Sequence, residues 1–244
     1  MTGRRLIGHT VRVSSAAPAP GPTTAAAATG YPRKRRQTRR RLLRAGTVVL
    51  VEKGPAQVTA GQIASAAGVA VGTFYNHFRS VDEFIAAVAE DLTQAIEIGR
   101  NTLNEIEHDP ARRVAIGVLQ LLELADTDPT SASAFVALTA LRPEFRSRIR
   151  ALVGQAITDG IAAGVFEVGA GQAGINAVLG ATLQSMRSRV LDETDHDEAA
   201  GVAHLVLRLL GMTEPDIVTA IAAAQATLVT AGQRPATSGA TART

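Results

Sequence analysis

The sequence predicts an all-α protein, and three observations support that prediction. Hydrophobic residues make up 46% of the 244 residues, and from residue 80 almost to the end they recur at helical spacing. No apolar segment of strand length alternates with polar residues. Turn signals break the helical pattern, and three of the following segments have an early proline (Pro110, Pro143 and Pro215), where the absent amide hydrogen costs no hydrogen bond.

The N-terminal segment, residues 1–32, is rich in Ala, Pro, Thr and Gly and lacks sustained periodicity. Such a composition predicts a disordered extension. A start codon set too far upstream is one explanation for it.

Basic residues are concentrated near the N-terminus. Residues 1–51 contain eleven Lys and Arg and no acidic residue, which leaves fourteen basic and 22 acidic residues in the rest, a net charge of −8. This split favours a polyanion-binding arm joined to a body that is not itself nucleic-acid-like. Within this basic arm, residues 33–44, we expect Arg36 and Arg40 to contact phosphates of such a polyanion; a solvated helix face is the alternative.

Residues 58–78, VTAGQIASAAGVAVGTFYNHF, have the pattern of a helix, a tight turn and a second helix. Thr59 and Gln62 form a capping box at the start of the first helix. Gly68 ends that helix, because the left-handed residue after a helix is cheapest as glycine. A second helix over 71–78 places Phe74 and Phe78 on one buried face and a polar and aromatic surface on the other.

Three segments in this region resemble the helix-turn-helix signature of TetR-type (TetR/AcrR) transcriptional regulators. They are Gln62-Ile63-Ala64, Ala67-Gly68-Val69 and Gly72-Thr73-Phe74-Tyr75-Asn76-His77-Phe78. Residues 42–54 resemble the family's first helix with its glycine stop, and residues 80–84 resemble the start of its fourth. The chain departs from the family at Ala70, Val71 and Val81, where polar residues are usual, so fewer polar groups reach the DNA.

The resemblance implies an N-terminal three-helix helix-turn-helix domain and a C-terminal helical bundle domain for ligand binding and dimerisation. We expect a disordered extension over 1–32, a DNA-binding domain with its basic arm over 33–80, a ligand-binding and dimerisation domain over 81–230, and a disordered tail over 231–244.

The expected DNA contacts combine the resemblance with side-chain chemistry. They are Arg36, Arg40, Thr59, Gln62, Val71, Thr73, Tyr75, Asn76, His77 and Arg79. Thr73 and Asn76 suit base edges, and Val71 suits a thymine methyl group. For Tyr75 and His77, packing against the first helix is the alternative.

Two late segments are candidates for a dimer interface, with intramolecular core as the alternative. The expected interface residues are Ile175, Val178, Leu179, Leu183, Met186, Leu205 and Leu209. The resemblance favours the interface, because the family dimerises through its eighth and ninth helices. It also implies a ligand pocket, for which the candidates are Phe84, Phe135, Phe145, Phe166 and Asn176, each with a core or surface position as the alternative.

We therefore expect a homodimeric, cytoplasmic regulator, most often a repressor in this family, that binds a pseudo-palindromic operator and is released by an unknown small molecule. The alternatives are a DNA-binding regulator without ligand control, and a helical small-molecule-binding protein or enzyme with a decayed DNA module. No membrane span, cofactor, metal site or catalytic residue is expected. Cysteine is absent, and Asp195-His196-Asp197 has the composition of a solvated turn.

Overall fold

The computed structural model describes residues 25–167, 169, 171–193 and 198–232, with side chains left out at 25–32, 104, 106, 231 and 232. In these ranges the chain forms ten α-helices and no strand, which confirms the predicted all-α class. The helices are α1 (Ala25–Lys53), α2 (Ala60–Ala66), α3 (Val71–Tyr75), α4 (Val81–Ile106), α5 (Pro110–Thr127), α6 (Pro129–Leu141), α7 (Pro143–Ala162), α8 (Gly171–Val190), α9 (Ala199–Leu209) and α10 (Glu214–Gly232).

Helix α1 begins earlier than expected. Residues 25–32, assigned from composition to a disordered extension, belong to this helix, which starts in a run of four alanines, the strongest helix formers. Residues 1–24 and residues 233–244 lie outside the described residues. The chain divides into two compact units, Met1–Thr38 and Arg39–Thr244.

Prolines begin three middle helices, at Pro110 and Pro143 as the sequence predicts and also at Pro129, and aspartates cap two of them. Helices α5, α6 and α7 each start with proline. The Asp109 carboxylate accepts the backbone N–H of Ala111 at 2.8 Å, and that of Asp128 accepts Ser131 N–H at 3.1 Å. These side chains satisfy donors that have no partner within their own helix.

Helix α5 is the centre of the larger bundle. It packs against α6, α7, α8, α9 and α10. Its buried residues include Val114, Ala115, Ile116, Val118 and Leu119, which lie on more than one side of the helix. A helix that is apolar on several sides is stable only when its neighbours surround it.

Helix α4 connects the N-terminal helices with this bundle. Phe84, near its start, is buried against Phe78, with ring centroids 5.3 Å apart. Farther along, Glu90 and Glu97 accept hydrogen bonds from Arg148 of α7 at 2.6 and 3.3 Å. The hydrogen bond to Glu90 raises the pKa of Arg148, so this arginine remains charged.

None of the helices in the described part of the chain has the length and apolar character needed to cross a membrane.

Candidate nucleic-acid interface and interior cavity

The first helix of the helix-turn-helix begins at the predicted capping box. The backbone N–H of Gln62 donates to Thr59 Oγ1 at 3.3 Å, and Thr59 N–H donates to Gln62 Oε1 at 2.9 Å. Ala60, Ile63 and Ala64 are buried on the inner face of α2. The cap therefore fixes the start of a helix whose outer side is left exposed.

The turn after α2 has the left-handed glycine that the sequence predicts. Gly68 has φ +60°, and its N–H donates to the carbonyl of Ser65 at 2.9 Å. The next N–H, that of Val69, donates to the carbonyl of Ala64 at 2.9 Å. This pair of bonds is a Schellman motif, which satisfies the last carbonyls of α2 and directs the chain into α3.

Two arginines of the basic arm have structural contacts that sequence reasoning missed. Arg41 donates from Nε to the carbonyl of Ala67 at 2.6 Å and from Nη2 to that of Gly68 at 2.7 Å. Arg39 lies over the Phe78 ring, 5.1 Å from its centroid. Arg41 thus holds α1 against the end of α2, a role that a charge run does not disclose.

Helix α3 is shorter than the predicted helix over 71–78. It ends at Tyr75, with Asn76 as its C-cap, although a bond from Phe78 N–H to the Phe74 carbonyl at 2.9 Å continues the turn. The chain leaves the helix because Ser80 adopts an extended conformation (φ −152°) and caps α4. Phe74 and Phe78 are 0% and 2% exposed, so both are core residues as predicted.

The opposite side of α3 is exposed. Val71 is 45% and Tyr75 56% exposed, and Asn76 is also exposed, whereas Thr73 and His77 are half-buried. The Tyr75 ring also meets Phe74 edge-on, with centroids 5.3 Å apart, so this residue combines a packed side with an open one. We call Val71, Thr73, Tyr75, Asn76 and His77 the α3 surface.

The remaining candidate DNA contacts lie on α1, α2 and the connection to α4. Thr59, Gln62 and Arg79 are exposed. Thr59 and Gln62 are hydrogen-bonded to each other in the capping box. The backbone N–H of Arg79 donates to Glu83 at 2.7 Å. Arg40 is exposed and makes no hydrogen bond or ion pair among the described residues. Arg36 is exposed on the part of α1 that belongs to the first compact unit.

The three residues that depart from the family pattern, Ala70, Val71 and Val81, have different surroundings. Ala70 is the N-cap of α3 and gives no side-chain hydrogen bond, where serine would typically add about 1 kcal/mol of helix stability. Val81 is half-buried and packs against the core. Only Val71 adds apolar area to the α3 surface, which fits contact with a thymine methyl group.

A cavity of about 640 Å³ lies among α4, α5, α6, α7 and α8. Most of its lining is aliphatic, with Arg100, Arg113, Asp159, Gln120, Gln155 and Thr182 among the polar residues. Arg113 forms an ion pair with Asp159 at 3.6 Å. Arg100 Nε and Thr182 Oγ1 are buried without a hydrogen-bond partner.

Of the five residues expected in a ligand pocket, only Phe135 lines this cavity. Phe84 packs with Phe74 and Phe78, Phe145 meets Phe135 edge-on at 5.4 Å, and Phe166 packs on Gly160. Asn176 is exposed and accepts a hydrogen bond from Arg150 at 2.7 Å. The three aromatic corrections share a cause, because large rings gain most by filling the core rather than lining a cavity.

Arg100 is a charged lining residue that sequence reasoning missed. Leu92, Ile96 and Leu103 recur at helical spacing along α4 and all face the cavity. Arg100 is four residues after Ile96, so it is a charged residue within an apolar stripe. A charged residue at an apolar position of the α4 pattern was the sequence signal that could have identified Arg100 as a lining residue.

The residues expected at a dimer interface divide into two groups. Leu205 and Leu209 are 50% and 49% exposed on α9, whereas Ile175, Leu179 and Leu183 on α8 are half-buried. Val178 and Met186 are 5% and 0% exposed, which corrects their assignment, because their side chains are enclosed within one chain. The helical spacing of the apolar residues on the Val178 and Met186 side of α8 is therefore explained by packing within one chain.

Among the described residues, no group of three or more His, Cys, Asp or Glu could hold a metal ion. Asp195-His196-Asp197, expected to be a solvated turn, lies outside the described residues.

Comparison with known proteins adds to this geometry. Residues 42–88 match the family described as bacterial regulatory proteins, tetR family. HTH-type transcriptional regulators of Mycobacterium bovis and Mycobacterium tuberculosis are 34% identical over 97 residues, which is 39% of this chain and 50% of theirs. The chain thus spans about half the length of these relatives.

Solved structures share the fold at lower identity. A gamma-butyrolactone receptor (ArpA-like protein) is 18% identical with a TM-score of 0.63, covering 80% of this chain and 99% of its own. FadR of Bacillus subtilis in complex with stearoyl-CoA is 20% identical (TM-score 0.58, 71% and 98% covered), and RolR in complex with resorcinol is 22% identical (TM-score 0.55, 78% and 95% covered).

Proposed function

We propose that this chain, whose residues 42–88 belong to the tetR family of bacterial regulatory proteins, is a homodimeric transcriptional repressor that a small ligand releases from its operator. The observation that supports this most directly is the α3 surface, where Val71, Tyr75 and Asn76 are exposed over a buried aromatic core. We assign DNA binding to residues 33–80 and ligand binding and dimerisation to residues 81–230. Such a regulator acts in the compartment that holds the chromosome.

The α3 surface has the chemistry of a base-reading element. Asn76 offers an amide that can bond adenine bidentately, Thr73 offers a hydroxyl, and Val71 offers methyl groups to thymine. Tyr75 and the exposed Arg40 extend the polar surface to phosphates. Buried Phe74 and Phe78 fix α3 from behind, so its side chains are presented on a rigid element.

A dimer presents two copies of the α3 surface to one DNA molecule. Two apolar residues one helical turn apart on α9, Leu205 and Leu209, are half exposed. In this proposal, α8 adds three half-buried residues to the same interface, Ile175, Leu179 and Leu183. Pairing of two copies buries these side chains and sets two α3 helices for half-sites ~34 Å apart, one turn of B-DNA. A pseudo-palindromic operator follows from that symmetry.

Helix α4 is the element through which a ligand acts in this proposal. Its first residues pack on α3 through Phe84, and its later residues, Leu92 to Leu103, line the cavity. A ligand that moves the second half of α4 thereby moves the aromatic core behind α3. By linkage, that ligand must bind differently to free and to DNA-bound protein.

DNase footprinting of the DNA upstream of the protein's own gene tests the proposal. We expect a protected short inverted repeat, with affinity reduced about tenfold or more by Asn76→Ala or Tyr75→Ala, because each removes contacts from both half-sites. Asn101→Ala is the matched control, since Asn101 is exposed on α4, away from α3, and its loss leaves the footprint unchanged.

Two results would contradict the proposal. Binding that is equally tight on unrelated DNA at moderate salt would exclude a sequence-specific regulator. A specific footprint that no metabolite shifts would support instead a regulator without ligand control.

A further inference from the structure

We propose that the cavity binds an amphipathic carboxylic acid, with the carboxylate on Arg100 and an aliphatic chain along the cavity wall. The inference rests on the proposed function, because it names the ligand class of the same cavity.

Arg100 supplies the charge for this assignment. It is half-buried on α4, its Nε is shielded from water without a hydrogen-bond partner, and the guanidinium makes no ion pair among the described residues. The Nε of Arg113 is also shielded from water, but Arg113 differs in that its guanidinium pairs with Asp159 at 3.6 Å. A guanidinium in an apolar setting binds a carboxylate best, through two parallel N–H donors.

The charges of the cavity also give the ligand one orientation. Arg100 lies near the end of α4 and Arg113 in the first turn of α5, on either side of the short connection between these helices. Glu123 lies ten residues farther along α5, ~15 Å away, and Asp128 follows it in the lining. Asp159 offsets the charge of Arg113 at the arginine end, so the positive charge left there is that of Arg100. A carboxylate is attracted to Arg100 and repelled by Glu123 and Asp128.

The wall between these ends suits an aliphatic chain. Leu92, Ile96, Leu103, Val118, Leu152 and Leu179 are among its apolar residues, and Phe135 is the single aromatic residue among the described residues of the lining. A planar aromatic ligand would have one ring to stack on, whereas a flexible chain can contact all of these branched side chains. The volume of about 640 Å³ is in the usual range for small-molecule sites.

Thr182 is a second polar feature of the cavity. It is 3% exposed, lines the cavity, and its Oγ1 has no hydrogen-bond partner. A buried hydroxyl without a partner is unusual in a folded protein. Because that oxygen is shielded from the cavity space, Thr182 contributes to the shape of the wall and is not an anchor for the ligand, whose head group is assigned to Arg100.

Isothermal titration of the full chain with decanoate tests the assignment, with decyltrimethylammonium as the probe of equal chain length and opposite charge. We expect decanoate to bind about tenfold or more tightly than the cation, and Arg100→Gln to remove that preference. Arg100→Lys, which keeps the charge but not the fork, should bind decanoate with intermediate affinity.

Two control variants fix the location. Arg187→Gln changes an exposed arginine of α8 outside the lining, so it should bind decanoate like the wild type. Thr182→Val keeps the cavity volume and should also bind decanoate like the wild type, because the hydroxyl that it removes is shielded from the cavity. Melting temperatures of all variants establish that each is folded. Equal affinity of wild type and Arg100→Gln, or tighter binding of the cation, overturns the proposal.

Operator gel shifts on the same samples separate the two proposals. A specific operator complex together with no decanoate binding refutes the carboxylate assignment and supports the DNA-binding function. Decanoate binding that depends on Arg100 but leaves the operator complex unchanged supports the carboxylate assignment and refutes ligand release.

Discussion

At the scale of single residues, neighbouring arginines of the basic arm have different tasks. Arg41 is bonded to the carbonyls of Ala67 and Gly68, whereas Arg40 is exposed and has no such partner among the described residues. Composition alone treats the two as equivalent. Their substitutions should therefore separate stability from DNA affinity.

Arg41→Gln should lower the free energy of unfolding by about 1 kcal/mol, because two carbonyls at the end of α2 lose charge-assisted hydrogen bonds at a partly exposed site. Arg40→Gln should leave stability unchanged and reduce the salt slope of operator binding by roughly 1.8, about 0.9 for one phosphate in each half-site. Urea denaturation and binding at several salt concentrations measure the two effects. If Arg41→Gln changes only the salt slope of operator binding and not the free energy of unfolding, the structural role assigned to Arg41 is wrong.

The residues behind the α3 surface were predictable because their signals are local. Thr59, Gln62 and Gly68 have type and spacing set by the ends of one helix, and the structure places them in those roles. The pocket candidates that do not line the cavity were misplaced for the opposite reason. Whether Phe84 or Phe166 fills a core or lines a cavity depends on partners distant in sequence, and spacing does not identify those partners.

At the scale of elements, the end of α2 determines where α3 points. Gly68 must adopt φ +60° to form the Schellman motif, and a β-carbon there would meet Arg41 Nη2 at 3.4 Å. The turn is thus constrained by its backbone conformation and by α1 together.

Gly68→Ala should destabilise the protein by about 1–2 kcal/mol, the cost of a left-handed conformation for a residue with a β-carbon. Gly68→Asn is the matched variant, since asparagine tolerates this conformation and should lose less. Thermal unfolding followed by circular dichroism compares them. Equal losses for alanine and asparagine would show that contact with Arg41, rather than the backbone angle, limits this position.

Helix boundaries show how far sequence patterns extend at this scale. Prolines located the starts of α5 and α7, because proline fits the first turn and excludes the middle of a helix. The end of α3 was missed by three residues. There, helical periodicity continues past the point where the chain must extend to reach the Ser80 cap, which is a tertiary requirement.

At the scale of the whole molecule, the proposed dimer depends on a face that a single chain leaves uncovered. Leu205 and Leu209 are each about half exposed on α9, although they repeat at core-like spacing. Exposed leucines at adjacent turns are a typical feature of a contact surface between subunits.

The double variant Leu205→Glu/Leu209→Glu should be monomeric at concentrations where the wild type is a dimer, because each interface would then bury four uncompensated carboxylates. Ile98→Glu is the control: Ile98 is 61% exposed on α4, so the same change should leave the dimer intact. Analytical ultracentrifugation gives the mass, and circular dichroism establishes the helical fold. A double variant that stays dimeric places the interface elsewhere.

Helix α4 also limits how such a protein can be rebuilt. Phe84, near its start, packs on Phe74 and Phe78 behind the α3 surface, and residues from Leu92 to Leu103 line the cavity, within one unbroken helix. A hybrid sensor that exchanges one half for that of another regulator therefore has its best junction between Val88 and Leu92. A junction at the start of α4 would discard Phe84 and leave the DNA-reading half without part of its own core.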